Sequence, residues 1–211
     1  MTKKIEEIAK VVETILKQEV DEGEMQKRRD VLNAFLMAAI EKEDNTMQDL
    51  ALMLGADITA TKGKLLRIAI RDGNLERVKF LIKNGVKVTV KDDFGNDNWA
   101  IELASVEGKS EVVRFLIKIG VDVIANDNEA IRKASENDHI ETVKLLIDAG
   151  ADIDVGLIAA AGSGKKDIVE LLINKGADVT AQNNRALKEA FRYRFEEVVE
   201  LLIKAGARFS W

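Results

Sequence analysis

Apolar and polar residues along this chain follow a pattern that returns about every 30 residues, as in proteins built from stacked repeats. Its clearest part is the phrase Leu-Ile-x-x-Gly. The glycines of successive copies lie 30, 35, 30, 26 and 30 residues apart. The phrase ends at Gly85, Gly120, Gly150, Gly176 and Gly206, and a degenerate copy ends at Gly55.

Each repeat is predicted to form two short helices separated by a turn. In residues 128–150, two apolar stripes have the spacing of one helix face. Asn137 and Asp138 interrupt them and favour a tight turn, and Gly150 is expected to end the second helix as a left-handed cap. The first stripe contains Ala130, Ile131 and Ala134, and the second contains Val143, Leu146 and Ile147.

The predicted helices must pack against neighbouring pairs, because helices of about ten residues are not stable alone in water. A small residue recurs in each first helix, nine positions before a valine, where it lets the next pair approach closely. We therefore predict an all-α solenoid of about six helix-turn-helix repeats. The small residues are Ala69, Ala104, Ala134, Ala160 and Ala190, and the valines are Val78, Val113, Val143, Val169 and Val199.

Both ends of the chain depart from the repeat. Residues 1–30 precede the array at 31–211 and carry an apolar stripe that predicts an amphipathic helix ending near residues 21–23. This helix is either a cap with a polar outer face or a partner-binding or dimerising helix. Phe209 and Trp211 are expected to fold back over the last helix pair. The stripe consists of Ile5, Ile8, Val12, Ile15 and Leu16.

Composition narrows the classes of function. The net charge of -5 and the pI of about 5.2 leave no overall positive field that would attract nucleic acid. Cysteine is absent, which excludes disulfides and thiolate metal sites and agrees with a cytoplasmic location in the producing or host cell. No apolar run approaches the roughly 20 residues of a membrane span, so no membrane association is expected.

The repeat resembles the ankyrin repeat. The sequence Glu-Val-Val-Arg-Phe-Leu-Ile-Lys at 111–118 is similar to the second helix of that family, and Gly-Ala-Asp-Ile at 150–153 is similar to its Gly-Ala-Asp-Val ending. Asp138 and His139 stand where the family usually has Gly-His. The resemblance covers roughly residues 33–209 and implies a protein–protein interaction module without catalytic activity.

The connections between repeats differ from the family pattern. The Thr-Pro-Leu-His start of the first helix is missing from every copy, and most linkers are about three residues short. We therefore expect the projecting β-hairpin fingers of the family to be plain turns, as in short ankyrin-like repeats of some large viruses and intracellular bacteria. One full finger remains at 90–99, and the repeat at 151–176 is expected to have almost none.

The sequence offers no catalytic or cofactor-binding constellation. His139 is the single histidine, and the resemblance implies that it bonds the backbone of an adjacent turn. The segment Ala-Gly-Ser-Gly-Lys-Lys at 161–166 lacks the spacing of a phosphate-binding loop, and the polar residues at 92–98 lack the order of an EF-hand. We therefore expect no enzymatic activity, no cofactor and no metal site.

The resemblance implies that partners bind a concave face formed by the first helices and the fingers. Two positions in each first helix, two residues before and two after the fixed alanine, are expected to face it. Trp99, beside Phe94 in the long finger, is the strongest single candidate, and the alternative is that Trp99 packs on the neighbouring repeat. The candidate partner-binding residues are Arg67, Arg71, Phe94, Trp99, Glu102, Val106, Arg132, Glu136, Ile158, Lys188 and Arg192.

Three functions remain open at this point. The leading hypothesis is recognition of a partner protein, which the viral and bacterial resemblance extends to a host-directed inhibitor or adaptor. The second is nucleic-acid or nucleotide binding at basic patches of the last repeat, and the third is a self-associating scaffold, a monomer being expected otherwise. Replacing Trp99 and Arg132 by alanine is expected to abolish partner capture and leave helicity unchanged. The basic residues are Arg185, Lys188, Arg192 and Arg194.

Overall fold

The computed structural model describes residues 21–42, 44–61, 63–88 and 98–209, and these ranges contain twelve α-helices, one short 3-10 helix and no β-strand. The all-α prediction is therefore confirmed. Phe94, Trp211 and the predicted N-terminal helix lie outside the described residues. The helices are α1 (Glu22–Glu41), α2 (Asn45–Met53), α3 (Lys64–Arg71), α4 (Leu75–Lys83), α5 (Trp99–Val106), α6 (Ser110–Lys118), α7 (Ala125–Glu136), α8 (Ile140–Asp148), α9 (Ile153–Gly162), α10 (Lys166–Asn174), α11 (Ala181–Arg192) and α12 (Glu196–Lys204).

The chain divides into two compact units, of which the first contains Met1–Leu66 and Lys79–Lys87. In this unit α1 packs against α2 and against the 3-10 helix. α1 begins at Asp21, whose carboxylate accepts a hydrogen bond from the Glu24 amide at 2.8 Å as an N-cap. The helix then continues through residue 30, so the predicted boundary between the N-terminal segment and the array does not coincide with a helix end.

In the first repeat, a buried glutamine lies where the later repeats have a valine. Gln48 lies nine residues after the buried Ala39, and both side chains occupy the positions of the fixed alanine and valine of later repeats. The Gln48 Nε2 donates a hydrogen bond to the Ala39 carbonyl at 3.3 Å. Because the buried amide has this partner, a polar residue is accommodated where the other repeats have an aliphatic one.

The second unit, Arg67–Val78 and Val88–Trp211, holds the most regular repeats. Its first helices pack in the order α5, α7, α9 and α11, and each contacts the second helix of its own pair. The fixed alanines 69, 104, 134, 160 and 190 are all fully buried, as predicted from their spacing. Among the paired valines, Val199 of the last repeat is partly exposed and the other four are fully buried.

Glycines end the second helices as the sequence predicts. Gly150 has a φ of 97°, in the left-handed region that side chains disfavour. Its amide donates to the Ile147 carbonyl and the Ala151 amide donates to the Leu146 carbonyl, both at 2.9 Å. These two hydrogen bonds form a Schellman motif, which satisfies two carbonyls at the helix end.

Side chains link successive repeats through a contact that the sequence analysis missed. An Asn or Asp six residues before the fixed alanine accepts a hydrogen bond from a backbone amide 24 residues later. In this way four pairs are linked to the segment that follows them. The bonds are Asp57 N to Asn33 Oδ1 (2.7 Å), Asp152 N to Asn128 Oδ1 (2.8 Å), Asp178 N to Asp154 Oδ1 (2.7 Å) and Arg208 N to Asn184 Oδ1 (3.0 Å).

Short turns connect the repeats from α6 to α11, as expected from the short linkers. Four residues separate α8 from α9, whereas six separate α6 from α7 and α10 from α11. The longer connections lead into residues with left-handed backbone angles at 126–128 and 182–184, which are mostly Asn and Asp, the side chains that best tolerate this conformation. The finger at 90–99 falls almost entirely outside the described residues.

The last repeat is covered in part by the C-terminal residues. The Phe209 ring packs edge-to-face on the Phe191 ring, with centroids 5.1 Å apart and planes at 73°. Phe209 therefore folds back over the last pair as predicted.

Candidate functional site

Three consecutive first helices of the second unit, α7, α9 and α11, line a surface groove of about 740 Å³. α9 lies in the middle, since it packs against both of the others. In α7 and α9 the lining includes the residues five and two before the fixed alanine and two after it, whereas in α11 it includes those five and one before it and two after it. The repeat thus produces a groove with two helical walls and a helical floor.

The floor of the groove is apolar and is formed by α9. Val155 and Ile158 are only partly buried there, although they occupy positions at which the flanking helices carry charged residues. At the far end Gly162 leaves space, because a Cβ added at this residue would meet only the Glu189 Cβ at 3.5 Å. The floor can therefore receive an aliphatic side chain from outside.

One wall, on α7, carries two glutamates around one arginine. Arg132 forms ion pairs with Glu129 and with Glu136, the latter at 3.5 Å. Lys133, which does not line the groove, also reaches both glutamates, at 3.7 and 3.1 Å. These pairs at three- and four-residue spacing hold the side chains in place along the wall.

The opposite wall, on α11, has the inverse arrangement. Glu189 lies between Arg185, at 4.0 Å, and Arg192, at 3.8 Å. Arg185 also donates to Gln182 at 2.9 Å, and the Arg192 guanidinium lies 6.0 Å from the centroid of the Tyr193 ring. The three charged residues remain partly or well exposed, so they can form further contacts with a bound molecule.

His139 joins two repeats beside this site, as expected. Its Nε2 lies 2.8 Å from the Val106 carbonyl, and since a carbonyl can only accept, the proton is on Nε2. The imidazole also covers Gly108, where an added Cβ would collide with the ring. The single histidine therefore has a structural role.

The comparison with known protein families now identifies the repeat. A family model described as Ankyrin repeats (3 copies) matches residues 35–127, 66–156 and 131–210. This chain belongs to the ankyrin repeat family. Ankyrin repeats are generally protein–protein interaction modules, and they are generally non-catalytic.

One relative of this ankyrin repeat protein is similar over part of the chain. The Ankyrin repeat and KH domain-containing protein mask-1 of Caenorhabditis elegans is 31% identical over 141 residues, which is 64% of this chain. The chain spans only 5% of the length of that relative. The similarity therefore concerns a small part of that relative.

Four of the predicted binding residues line the groove of the ankyrin array: Arg132, Glu136, Ile158 and Arg192. Lys188 is exposed on α11 outside its lining. Glu102 and Val106 lie on α5, where the Glu102 carboxylate accepts a hydrogen bond from the Asn126 Nδ2 at 2.6 Å. Sequence reasoning missed Val155 and Glu189 and assigned Arg185 only to a basic patch for nucleic acid, although the place of Val155 and Arg185, five residues before the fixed alanine, was a readable signal.

Trp99 is buried, and this corrects its assignment as the strongest binding candidate. Only 5% of its surface is exposed, and the Arg67 guanidinium lies 4.6 Å from the centroid of its ring. Trp99 thus packs inside the array, which was the alternative interpretation. Replacing a buried Trp by Ala costs about 3–5 kcal/mol, so the double variant with Arg132 would lose stability as well as any contact with a partner.

The remaining predicted residues lie apart from the groove. The Arg71 guanidinium pairs with Glu107 at 3.9 Å, and neither residue lines it. In the part of the chain that the structure describes, no group of three or more acidic or histidine side chains could hold a metal ion. No helix among these residues is long and apolar enough to cross a membrane.

Proposed function

We propose that this ankyrin repeat protein binds a polypeptide segment of a partner protein in the groove of α7, α9 and α11. The observation that carries the proposal is the position of Ile158. This aliphatic side chain is partly exposed at the floor, between two walls of charged side chains. An apolar centre with a polar rim is the arrangement that protein interfaces share.

A polypeptide fits this groove better than a small molecule does. The groove lies open along three helices, and its walls carry ion pairs on both sides. Small-molecule sites instead enclose most of their ligand in a mainly apolar pocket. A peptide can place one aliphatic side chain on the floor and direct its polar side chains to both walls.

Selection from a displayed library of random peptides tests the proposal. The affinity of each selected peptide is then measured by fluorescence anisotropy with the native protein and with Ile158→Lys. Burying one aliphatic side chain contributes about 1.5–3 kcal/mol, so the substitution should weaken binding about tenfold or more. The control is Ile203→Lys on α12, where an isoleucine 48% exposed lies outside the groove.

The proposal makes a clear demand on both variants. Ile203→Lys should bind the selected peptides as the native protein does, and circular dichroism should show native helicity for both variants. Failure to select any peptide, or equal binding by Ile158→Lys, would refute a peptide site at this groove.

Nucleic-acid binding at α11 is an alternative with less support. Arg185 and Arg192 are each paired with Glu189, so a phosphate would compete with a carboxylate that is already in place. Phosphate contacts also give an affinity that falls steeply with salt. A steep salt dependence with mixed oligonucleotides would favour this alternative over the peptide.

A further inference from the structure

The walls of the groove carry opposite charge at matching levels. Five residues before the fixed alanine, α7 has Glu129 and α11 has Arg185. Two residues after it, α7 has Glu136 and α11 has Arg192. Between these pairs the floor carries only uncharged side chains. These two levels therefore run from an acid, across a small or apolar residue, to a base, whereas at the middle level Ile158 lies beside Arg132.

We propose that this charge order selects a partner segment with a basic side chain over α7, an aliphatic side chain over α9 and an acidic side chain over α11. The inference rests on the proposed function, since it names the chemistry of the ligand at the same groove. Complementary charges set the register of a bound chain and disfavour ligands with the opposite order.

The ion pairs within each wall leave a net charge on both sides. On α7 the two glutamates are paired with Arg132 and with Lys133, which lies outside the lining, and Asp127 adds a further negative charge. On α11 the two arginines share Glu189. The lining of α7 is therefore net negative and that of α11 net positive. A segment with uniform charge would meet repulsion at one of the two walls.

The spacing between helices predicts the spacing of the three side chains. Neighbouring packed helices lie about 8–10 Å apart, and an extended chain advances about 3.3–3.6 Å per residue. One helix is thus crossed about every three residues. The expected ligand is an extended segment of the form base-x-x-aliphatic-x-x-acid, and a backbone running in the opposite direction would carry the order acid-x-x-aliphatic-x-x-base.

The peptide selection described above tests the charge order when it is repeated with a wall-reversed variant. In Arg185→Glu with Arg192→Glu, both walls become acidic, and the two arginines are 56% and 71% exposed, so the fold should tolerate the change. Peptides selected by the native protein should carry one base and one acid, three residues on either side of an aliphatic residue. They should bind the variant about tenfold more weakly, and the variant should select peptides with bases on both sides.

A second double variant separates the groove from net charge. Lys118→Glu with Lys204→Glu makes the same change in net charge at exposed ends of α6 and α12, outside the groove. This protein should select the same zwitterionic peptides as the native one. A shift to basic peptides in this control would overturn the inference, since the preference would then follow total charge.

The two proposals fail in different ways. Peptides that depend on Ile158 but carry no ordered charges would overturn the charge-order inference and leave the peptide groove in place. Peptides that are insensitive to Ile158→Lys would overturn both. Ordered charges in the native selection, replaced by bases on both sides in the wall-reversed variant, would support both.

Discussion

Arg194 occupies a backbone conformation that glycine adopts in other repeats. Its φ is 62°, and the same turn position holds Gly73, Gly108 and Gly164. A left-handed backbone angle costs an ordinary residue about 1–2 kcal/mol, and glycine avoids this strain. Glycine also destabilises the folded state by about 0.4–1 kcal/mol, because its unfolded chain has more conformational freedom to lose. We expect Arg194→Gly to stabilise the protein by about 0.5–1 kcal/mol in urea unfolding.

Gly164 provides the matched control for this substitution. A Cβ at Gly164 would lie 2.6 Å from the Phe195 Cδ1, at a φ of 68°. Gly164→Ala should therefore destabilise the protein, and the two variants should shift the urea midpoint in opposite directions. A loss of stability in Arg194→Gly would contradict the argument from backbone strain.

Ser135 is a buried residue whose hydroxyl has no hydrogen-bond partner among the described residues. A buried polar group without a partner costs about 1–3 kcal/mol. Ser135→Ala is therefore expected to raise the free energy of unfolding by about 1 kcal/mol. Ser163→Ala, at a partly exposed helix end, should change it little. A lower midpoint for Ser135→Ala would indicate a partner for the hydroxyl, such as a bound water.

Single residues also show where sequence reasoning succeeds and where it fails. Gly150 and Ala134 were assigned correctly because their roles follow from the local helix and its period. Trp99 was misjudged because its surroundings include Arg67, a residue 32 positions away that no local pattern connects with it. The helical spacing predicted that Ile158 faces the groove, whereas the charged walls on either side of it come from two other repeats.

At the scale of elements, the loop between α10 and α11 contains a carboxylate, that of Asp178, which accepts hydrogen bonds from a residue of the same loop. The Thr180 hydroxyl and amide donate to the Asp178 Oδ1 at 2.7 and 2.8 Å. These hydrogen bonds lower the pKa of Asp178 below its ordinary value of 3.8, and the hydroxyl contributes most. Since the pKa is lowered on folding, the stabilisation is present above the ordinary pKa and is lost as the pH falls through the folded-state pKa.

An NMR titration of the carboxyl carbons checks this loop. In Thr180→Val, the pKa of Asp178 should move upward towards 3.8, because the amide bond remains and the hydroxyl bond is lost. Asp57, which accepts the same two bonds from Thr59 and also has a lowered pKa, is the internal control and should not change. An unchanged pKa of Asp178 would exclude the hydroxyl as the cause.

The helices themselves were predictable as elements, and the links between them were not. Periodicity and glycine caps predicted pairs of short helices because both signals lie within about ten residues. The bond from Asn128 to the Asp152 amide joins residues 24 apart, and its acceptor has the side chain of an ordinary turn residue. In the sequence, this hydrogen bond is indicated only by the recurrence of Asn or Asp at one position of the repeat.

At the scale of the whole molecule, the array is stabilised by contacts between neighbouring pairs. Ala134 is fully buried in α7, which packs against both α5 and α9. We expect Ala134→Leu to destabilise the second unit by about 1–3 kcal/mol through overpacking. Hydrogen exchange should show the loss of protection in α5, α7 and α9 first, because each repeat contacts only its neighbours.

Ala149→Leu is the control for this substitution. Ala149 lies at the end of α8 and is partly exposed, so a larger side chain there should have a small effect. Equal destabilisation by both variants would show that the seam between first helices is not the sensitive place.

The constant separation of 24 residues between Asn128 and Asp152, and between their counterparts in other repeats, affects where residues can be added to the array or removed from it. The span of 24 residues is preserved in repeats of different size, so additions and deletions fall in the short stretch that follows it. That stretch is two residues long from Asp152 to Asp154 and six from Asp178 to Asn184. Residues 179–183 are thus a place where a foreign loop could be grafted while the flanking helix pairs keep their packing.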